Sequence, residues 1–220
     1  MKRAERRRLD RMHRFERELW EEGARLICGI DEVGRGPLAG PVTACAVIID
    51  KPLKLEHLDD SKVVTELRRI ELDSLIRERV LAISIGWADH LEIDALNILE
   101  ASRLAMRRAL AGLGLTPCRV LVDGLPLPDC MYPQQAIIDG DAKSAAIAAA
   151  SIVAKVARDA VMTTYDAEYP LYGFAHNKGY ATVEHLAAIA KSGPCPIHRR
   201  SFAPVLQPSL FDEAIAGAPM

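Results

Sequence analysis

Two neighbouring apolar runs near the start of the chain are joined by a very short connection. Residues 25–31 and 41–50 both have the apolar, β-branched composition of strands, and the glycine-rich turn 34–40 fills most of the interval between them. A parallel crossover needs at least about 10–12 residues. The short turn therefore predicts an antiparallel pair of strands and excludes a fold that begins with a parallel βαβ unit.

The glycines of this turn suggest a second interpretation, the fingerprint of dinucleotide-binding proteins. Gly34, Gly36 and Gly40 follow a strand, and Asp50 closes the next strand at a plausible distance. That fingerprint requires a parallel crossover directly after the turn. The acids that precede the turn would also repel a pyrophosphate. We therefore reject a dinucleotide site.

Later apolar runs alternate with amphipathic segments. Three more strands are predicted at residues 80–88, 119–123 and 136–139. Helices are predicted at 3–22, within 58–79, and at 93–112, 143–165 and 182–191. Because small residues fill 145–150, the helix there should pack very closely on the sheet. This order predicts an α/β fold in which helices flank a mixed five-stranded sheet, with a small C-terminal helical addition.

The same pattern predicts how the chain is divided. The expected parts are a basic N-terminal helix at 1–23, a main α/β domain at 24–168, a helical part packed on it at 169–206 and a flexible tail at 207–220.

Composition excludes several classes of protein. Half of the residues are hydrophobic and 26% are charged, which is typical of a soluble globular protein. No apolar run exceeds six residues, far below the roughly 20 that span a bilayer, and residues 1–23 hold no apolar segment of the secretory type. Five cysteines without a C-x-x-C pair argue against disulfides and zinc. We expect a cytoplasmic protein that does not associate with membranes.

Charge is distributed unevenly along the chain. The net charge is −2, but residues 1–17 contain eight Lys or Arg and three acids, which leaves an acidic remainder. One interpretation is a solvated amphipathic helix. The other is a basic arm that holds phosphate beside a body that concentrates carboxylates for a metal.

Four acids stand where apolar strands end. They are Asp31, Glu32, Asp123 and Asp141. Strand ends that deliver like charges to one side of a sheet need compensation, and a divalent cation with oxygen ligands, Mg²⁺ or Mn²⁺, supplies it most simply. The alternative is that these acids are ordinary caps and turn formers. Asp139 rivals Asp141, because alternating side chains would put both on one side of a continuing strand.

Several motifs, in order, resemble ribonuclease HII, the type 2 ribonuclease H. They span about residues 26–206, and the ordered set is highly specific. The sister type III enzymes resemble the opening motif but lack its Gly-Arg-Gly-Pro form. The motifs are CGIDEVGRGPLAGPV at 28–42, DSK at 60–62, VDG at 122–124, GDAKS at 140–144, AAASIVAKVARD at 148–159, NKGY at 177–180, and His198-Arg199 with Ser201-Phe202.

The resemblance implies a ribonuclease H-like fold and a metal-dependent endonuclease. Such an enzyme hydrolyses the RNA strand of RNA–DNA hybrids and cuts 5′ of single ribonucleotides embedded in duplex DNA, leaving 3′-hydroxyl and 5′-phosphate ends. It implies that Asp31, Glu32, Asp123 and Asp141 hold Mg²⁺ or Mn²⁺. In a two-metal mechanism Asp31 would bridge the ions, one generating the attacking hydroxide and the other stabilising the leaving 3′ oxygen. The implied roles are ribonucleotide excision repair and DNA replication.

The resemblance also implies which residues contact the substrate. Gly34, Arg35 and Gly36 would sense the 2′-hydroxyl at an RNA–DNA junction, and Tyr180 would stack on the neighbouring deoxyribose. His198 would cap or pack. Further contacts, mostly to phosphate, are expected at Lys62, Ser144, Lys155, Lys178, Arg199 and Arg200.

Two departures from the family pattern matter. Val63-Val64 stand where another lysine is usual, so one phosphate contact is missing, and Asp139 replaces a more usual basic residue.

One partner is suggested outside these motifs. Residues 207–211, Gln-Pro-Ser-Leu-Phe, resemble a peptide that binds a sliding clamp, so Gln207 to Phe211 would tether the enzyme to replicating DNA. We expect a monomer. The alternatives are another nuclease or a transposase on the same fold, and an inactive nucleic-acid-binding module. The preference between Mg²⁺ and Mn²⁺ and the role of residues 1–17 stay open.

Overall fold

A computed structural model describes residues 3–206 and places five strands in one mixed sheet. The order across the sheet is β3-β2-β1-β4-β5. β1 pairs antiparallel with β2 and parallel with β4, which is parallel to β5. This confirms the predicted antiparallel pair and the mixed five-stranded sheet. The strands are β1 Ile27–Val33, β2 Val42–Ile49, β3 Ala82–Ala88, β4 Arg119–Asp123 and β5 Gln134–Ile137.

The helices of the described residues follow the expected order. They are α1 Arg3–Met12, α2 Arg14–Glu21, α3 Glu66–Arg79, α4 His90–Leu96, α5 Ile98–Ala111, α6 Gly140–Lys143, α7 Ala145–Glu168, α8 Phe174–Asn177, α9 Val183–Ser192 and α10 Ala203–Leu206. A short 3-10 helix covers Pro170–Tyr172. None of these helices has both the length and the apolar character that crossing a membrane requires. The expected tail at 207–220 lies outside the described residues.

Two predicted helices are each divided in two, and a third begins later than predicted. The helix expected at 3–22 breaks at His13, whose ring bonds to the carbonyl of Leu9 and accepts the N–H of Leu53. The helix expected at 93–112 breaks at Asn97, which has a φ of 73°. Its side chain accepts backbone N–H groups of the next helix. The helix expected at 143–165 begins only after Ser144, which is extended.

The described residues form two compact units. One comprises residues 3–33, 43–87 and 102–156, and the other comprises 34–42, 88–101 and 157–206. The basic N-terminal helices belong to the first unit, where Leu9, Met12 and Leu19 are buried in the main core. The expected limits at residues 23, 168 and 206 stay predictions about separately folding parts.

In the core of the first unit, β1 and α7 pack so closely that their backbones nearly touch. A Cβ at Gly29 of β1 would overlap the backbone of Ala146. All six residues at 145–150 are fully buried. The predicted close packing of this helix on the sheet is confirmed.

A buried carboxylate joins the N-terminal helices to the start of α7. Glu16 of α2 is fully buried, and its Oε1 accepts the hydroxyl of Ser144 at 2.6 Å and the N–H of Ala146 at 2.9 Å. Burial raises the pKa of Glu16. The interaction satisfies one of the N–H groups that every helix leaves unpaired at its first turn. Residues 1–17 therefore contribute to the core as well as to the surface.

Candidate active site

The register of the central strands brings two of the acids together. In the parallel ladder of β1 and β4, Ile30 lies opposite Val122. Asp31 and Asp123 are the next residues of their strands, so their side chains leave the same face side by side. Glu32 follows Asp31 on β1 and is half-buried, and its charge is one of those that raise the pKa of Asp31.

Asp141 joins this pair through a tight turn. β5 ends at Ile137, and the chain passes through Asp139, in the left-handed conformation with a φ of 53°, into α6. The Oδ1 atom of Asp123 accepts the N–H of Gly140 at 2.7 Å and that of Asp141 at 3.4 Å. Three acids from three separate segments are thus gathered at one end of the sheet.

The rival acid lies elsewhere. The side chain of Asp139 is 74% exposed and lies 3.5 Å from the ammonium of Lys143, whereas that of Asp141 is 6% exposed. The two acids do not share a face, because the strand ends before Asp139 and α6 begins after it. The geometry therefore favours Asp141 as the fourth acid of the site.

One cation faces the acids. The Nζ atom of Lys62 donates to Oδ2 of Asp141 at 3.0 Å and lies 3.7 Å from Oδ1 of Asp60. Burial would lower the pKa of Lys62, but the hydrogen bond to Asp141 and the surrounding negative charges outweigh it and raise the pKa. Lys62 therefore stays protonated and offsets part of the charge.

The acids destabilise one another in their ionised forms. Burial raises the pKa of Asp31 well above its ordinary value, and the charges of Glu32, Asp123 and Asp141 raise it further. Burial and the charge of Asp141 also raise the pKa of Asp123. A site of this kind gains stability from any further cation that enters it.

The donor set fits a hard divalent ion. The acids gathered at this end of the sheet offer carboxylate oxygens as metal ligands. Mg²⁺ and Mn²⁺ prefer oxygen ligands of this kind. Within residues 3–206, however, no three acidic, histidine or cysteine side chains already converge as a formed metal site.

The glycine-rich turn belongs to the second unit and is held from beneath by Arg199. This side chain is fully buried. Its guanidinium donates to the carbonyls of Gly34 at 2.6 Å, Arg35 at 2.9 Å and Gly40 at 3.0 Å. The carbonyls of the turn therefore point inward, while Arg35 and Gly36 remain exposed.

A second buried guanidinium supports the other half of the turn. Arg158 of α7 donates to the carbonyls of Ala39 at 3.2 Å and Pro41 at 3.0 Å, and to that of Lys178 at 3.0 Å. A Cβ at Gly34, whose φ is 89°, would overlap the Arg158 side chain. Our sequence analysis did not single out Arg158, although it lies within the motif at 148–159. An arginine among alanines on a buried helix was the available signal.

Comparison with known proteins now bears on this geometry. Residues 28–205 match the family model for ribonuclease HII. The chain belongs to the ribonuclease HII family. A ribonuclease HII of Moorella thermoacetica is 54% identical over 198 residues, which are 90% of this chain and 96% of that protein. Ribonucleases of this family are hydrolytic enzymes that degrade RNA in RNA–DNA hybrids.

Solved structures agree on the fold. The ribonuclease HII in a PCNA:ribonuclease HII complex of Archaeoglobus fulgidus has a TM-score of 0.67 and 26% identity, covering 80% of this chain and 95% of that one. Bst-RNase HIII in complex with Mn²⁺ has a TM-score of 0.65 and 18% identity, covering 88% of this chain and 71% of that one. The predicted ribonuclease H-like fold is confirmed.

The structure changes the interpretation of two predicted substrate contacts in this ribonuclease HII. Arg199 was expected to touch phosphate, but it is fully buried beneath the glycine-rich turn. Ser144 was expected to touch substrate, but it is fully buried, and its hydroxyl bonds to Glu16 and accepts the N–H of Ile147. Burial of both side chains disfavours a direct contact with substrate in this conformation, because nearby polar groups inside the fold required a buried partner.

The remaining predicted contacts keep some access to solvent. Tyr180 is 42% exposed, and its ring faces Gly36, where a Cβ would lie 3.8 Å from the ring. Lys178 is partly buried, and its ammonium donates to the carbonyl of Ala175 at 2.6 Å. Lys155 is partly buried on α7, and Arg200 is exposed. Their roles toward substrate stay predictions.

His198 has the structural role expected of it. It is fully buried and packs against the rings of Tyr172 and Phe174, whose centroids are 5.0 and 5.7 Å away.

Proposed function

We propose that this ribonuclease HII is a two-metal endonuclease that cuts RNA–DNA hybrids and also cuts 5′ of single ribonucleotides in duplex DNA. The observation that carries the metal-dependent step is the cluster of three carboxylates that repel one another, the buried Asp31 and Asp141 and the half-buried Asp123. The products would carry 3′-hydroxyl and 5′-phosphate ends.

The acids would act as ligands and the lysine as a temporary counterion. Asp31, Glu32, Asp123 and Asp141 would hold Mg²⁺ or Mn²⁺, ions that activate water and stabilise a leaving oxygen when bound. Support for Mn²⁺ comes from its complex with Bst-RNase HIII. Lys62, whose side chain is 77% exposed, would leave Asp141 and contact the substrate phosphate.

The glycine-rich turn and Tyr180 would read the RNA–DNA junction. Arg199 and Arg158 fix the backbone of the turn before substrate arrives, so a ribose 2′-hydroxyl would meet polar groups that are already oriented. The ring of Tyr180, beside Gly36, would stack on the adjoining deoxyribose. An enzyme with this arrangement would cut beside a single ribonucleotide and leave an all-DNA duplex uncut.

A basic cleft in the first unit would extend the contact with phosphate. The cleft has a volume of about 570 Å³, and Arg11, Arg14, Arg17 and Lys143 contribute to its lining. Its wall includes α6, the helix that carries Asp141. We assign the basic N-terminal segment a role in holding the sugar–phosphate backbone near the acids.

A sliding clamp is the proposed protein partner. The PCNA complex of the Archaeoglobus fulgidus enzyme supports this proposal, although residues 207–211 lie outside the described part of the chain. Deleting 207–220 should weaken clamp binding and leave cleavage of a free hybrid unchanged. Equal clamp affinity of the full-length and shortened chains would refute the tether.

The state of the thiols supports a proposal about the compartment. All five cysteines are unpaired, and burial raises the pKa of Cys28 and Cys45, which keeps them unreactive. Reduced, buried thiols favour the cytoplasm as the location of this enzyme.

The first test is cleavage of a labelled DNA duplex that contains one ribonucleotide, with Mg²⁺, Mn²⁺ or EDTA. A long RNA–DNA hybrid and an all-DNA duplex serve as controls. We expect metal-dependent cutting on the 5′ side of the ribonucleotide and an intact all-DNA duplex. Cutting of the hybrid alone would refute the proposed recognition of a single ribonucleotide but would support ribonuclease H activity. Cutting of neither by folded protein would favour a binding module.

A further inference from the structure

A continuous chain of hydrogen bonds inside the second unit ends at Tyr180. The N–H of Cys195 donates to Nδ1 of His198 at 3.0 Å. The Nε2 atoms of His198 and His185 lie 3.0 Å apart, and Nδ1 of His185 lies 2.8 Å from the carbonyl oxygen of Tyr180. Neither imidazole takes part in the proposed chemistry.

The proton positions in this chain follow from its two ends. Because Nδ1 of His198 accepts a backbone N–H, its proton must lie on Nε2. His185 must then accept at Nε2 and carry its proton on Nδ1, which donates to the carbonyl of Tyr180. Every donor in the chain meets an acceptor, and only the two neutral tautomers permit this. A proton added to either ring would leave two donors facing each other.

The surroundings favour the neutral forms. Both imidazoles are fully buried, and the rings of Tyr172 and Phe174 pack against them. Burial lowers the pKa of His185, and burial together with the charge of His185 lowers that of His198 to about 4. The positive charges of Arg200 and His90 lower the pKa of His198 further. The thiol of Cys195, 3.1 Å from Nδ1 of His198, is also uncharged because burial raises its pKa to about 11.

The chain of hydrogen bonds connects the glycine-rich turn with Tyr180, the two parts of the molecule that we propose recognise the RNA–DNA junction. Arg199, which holds the carbonyls of Gly34 and Arg35, is the residue after His198. His198 itself bridges to Ala39 in the glycine-rich turn. One short segment thus anchors the turn through Arg199 and Tyr180 through His198.

We propose that His198 and His185 are positioning residues that fix Tyr180 against Gly36 and thereby determine recognition of the single ribonucleotide. This inference rests on the proposed role of Tyr180. Beyond it, the two histidines form a relay in which the bond from His198 orients His185, and His185 in turn orients the carbonyl of Tyr180. Loss of the relay should impair junction reading more than hydrolysis of a continuous hybrid, which presents a ribose at every position.

The chain offers a matched pair of variants. In His198→Gln the amide nitrogen replaces Nε2, so the bond to His185 is kept and the bond from Cys195 is lost. In His198→Asn the amide oxygen replaces Nδ1, so the bond from Cys195 is kept and the bond to His185 is lost. Both remove one hydrogen bond and one ring. Only His198→Asn removes the partner of Nε2 of His185, so the imidazole that bonds to the carbonyl of Tyr180 loses its orientation.

The measurement is kcat/KM for a duplex with one ribonucleotide and for a continuous RNA–DNA hybrid. We expect His198→Asn to lose about tenfold on the first substrate and to change little on the second, with His198→Gln close to the wild type on both. Equal losses in the two variants, or equal losses on the two substrates, would overturn the inference. Tyr180→Ala separates the two proposals, because an unchanged ratio there would refute the role of Tyr180 itself.

A second measurement does not depend on activity or on the stability of a variant. Nitrogen-15 NMR of the wild-type chain should show His198 protonated on Nε2 and His185 protonated on Nδ1 at pH 7. The opposite tautomer at either ring would overturn the relay.

Discussion

At the scale of single residues, buried ionisable groups determine how the site is organised. Asp31 and Arg199 are both removed from water, but with opposite consequences. The ionised carboxylate of Asp31 is repelled by the neighbouring carboxylates, so it destabilises the folded protein until a cation binds. The guanidinium meets three carbonyls, so it stabilises the turn that it supports.

Replacing Asp31 by Asn should therefore separate stability from activity. Because the raised pKa means that ionised Asp31 costs stability at neutral pH, Asp31→Asn in EDTA should raise the Tm by about 2–4 °C for each kcal/mol recovered. Cleavage should fall by three orders of magnitude or more, roughly the loss expected when an essential charge is removed. Calorimetry and a cleavage assay check both, and a lowered Tm would contradict the repulsion.

The histidines predict how stability depends on pH. His198 has a folded pKa of about 4, below its unfolded value of roughly 6.5, so the unfolded chain binds the proton first as pH falls. Stability should decline between about pH 6.5 and 4 and lose at most about 3 kcal/mol from this group. Urea unfolding at several pH values measures the slope. In His198→Gln the slope should be smaller, and an unchanged slope would refute the assignment.

At the scale of elements, the contact of β1 with α7 leaves no room for a side chain at Gly29. Gly29→Ala should destabilise the first unit by about 1–3 kcal/mol or more, because a Cβ there would overlap the Ala146 backbone. Adding Ala146→Gly should not restore stability, since the overlap is with backbone atoms. Denaturant unfolding of the single and double variants tests this, and rescue by the second change would show that side chains alone limit the packing.

The elements also show what the sequence could and could not predict. The short turn after β1 allowed only an antiparallel partner, and strand ends correctly marked Asp31 and Asp123 as neighbours. The breaks at His13 and Asn97 were missed because one depends on a bond to Leu53, 40 residues away, and the other on a left-handed residue. Asp141 could not be separated from Asp139 without knowing where β5 ends.

Burial of Arg158 and Arg199 was hidden for a related reason. Arginines are ordinarily exposed, so a sequence pattern assigns them to solvent or phosphate. Only the folded turn shows inward carbonyls that require them. The residues that support a site from beneath are therefore harder to predict than the residues that act in it.

At the scale of the whole molecule, a modest net charge conceals a basic surface beside an acidic site. Arg11 and Arg14 line the cleft next to α6, whereas Arg6 and Arg7 are exposed on α1 and do not line it. The double variants Arg11→Ala/Arg14→Ala and Arg6→Ala/Arg7→Ala change the net charge equally. They therefore separate a specific contact from a general field.

The cleft variant should weaken substrate binding most at low salt and make binding less sensitive to salt. If both arginines neutralise phosphates, the slope of log Kd against log salt for a catalytically inactive Asp31→Asn enzyme should fall by about 1.8, roughly 0.9 for each contact. Fluorescence anisotropy with a labelled hybrid measures it. The Arg6/Arg7 variant should leave the slope nearly unchanged. Equal slopes in the two variants would refute the proposed contact between the cleft and phosphate.

The bond between Glu16 and Ser144 can form only late in the synthesis of the chain. These residues are 128 positions apart, so at about 5–20 residues per second Ser144 is made roughly 6–25 s after Glu16. During that interval the N-terminal helices have neither the start of α7 nor its alanine face to cover them. The part of the first unit that is synthesised first is consequently among the last to reach its native contacts.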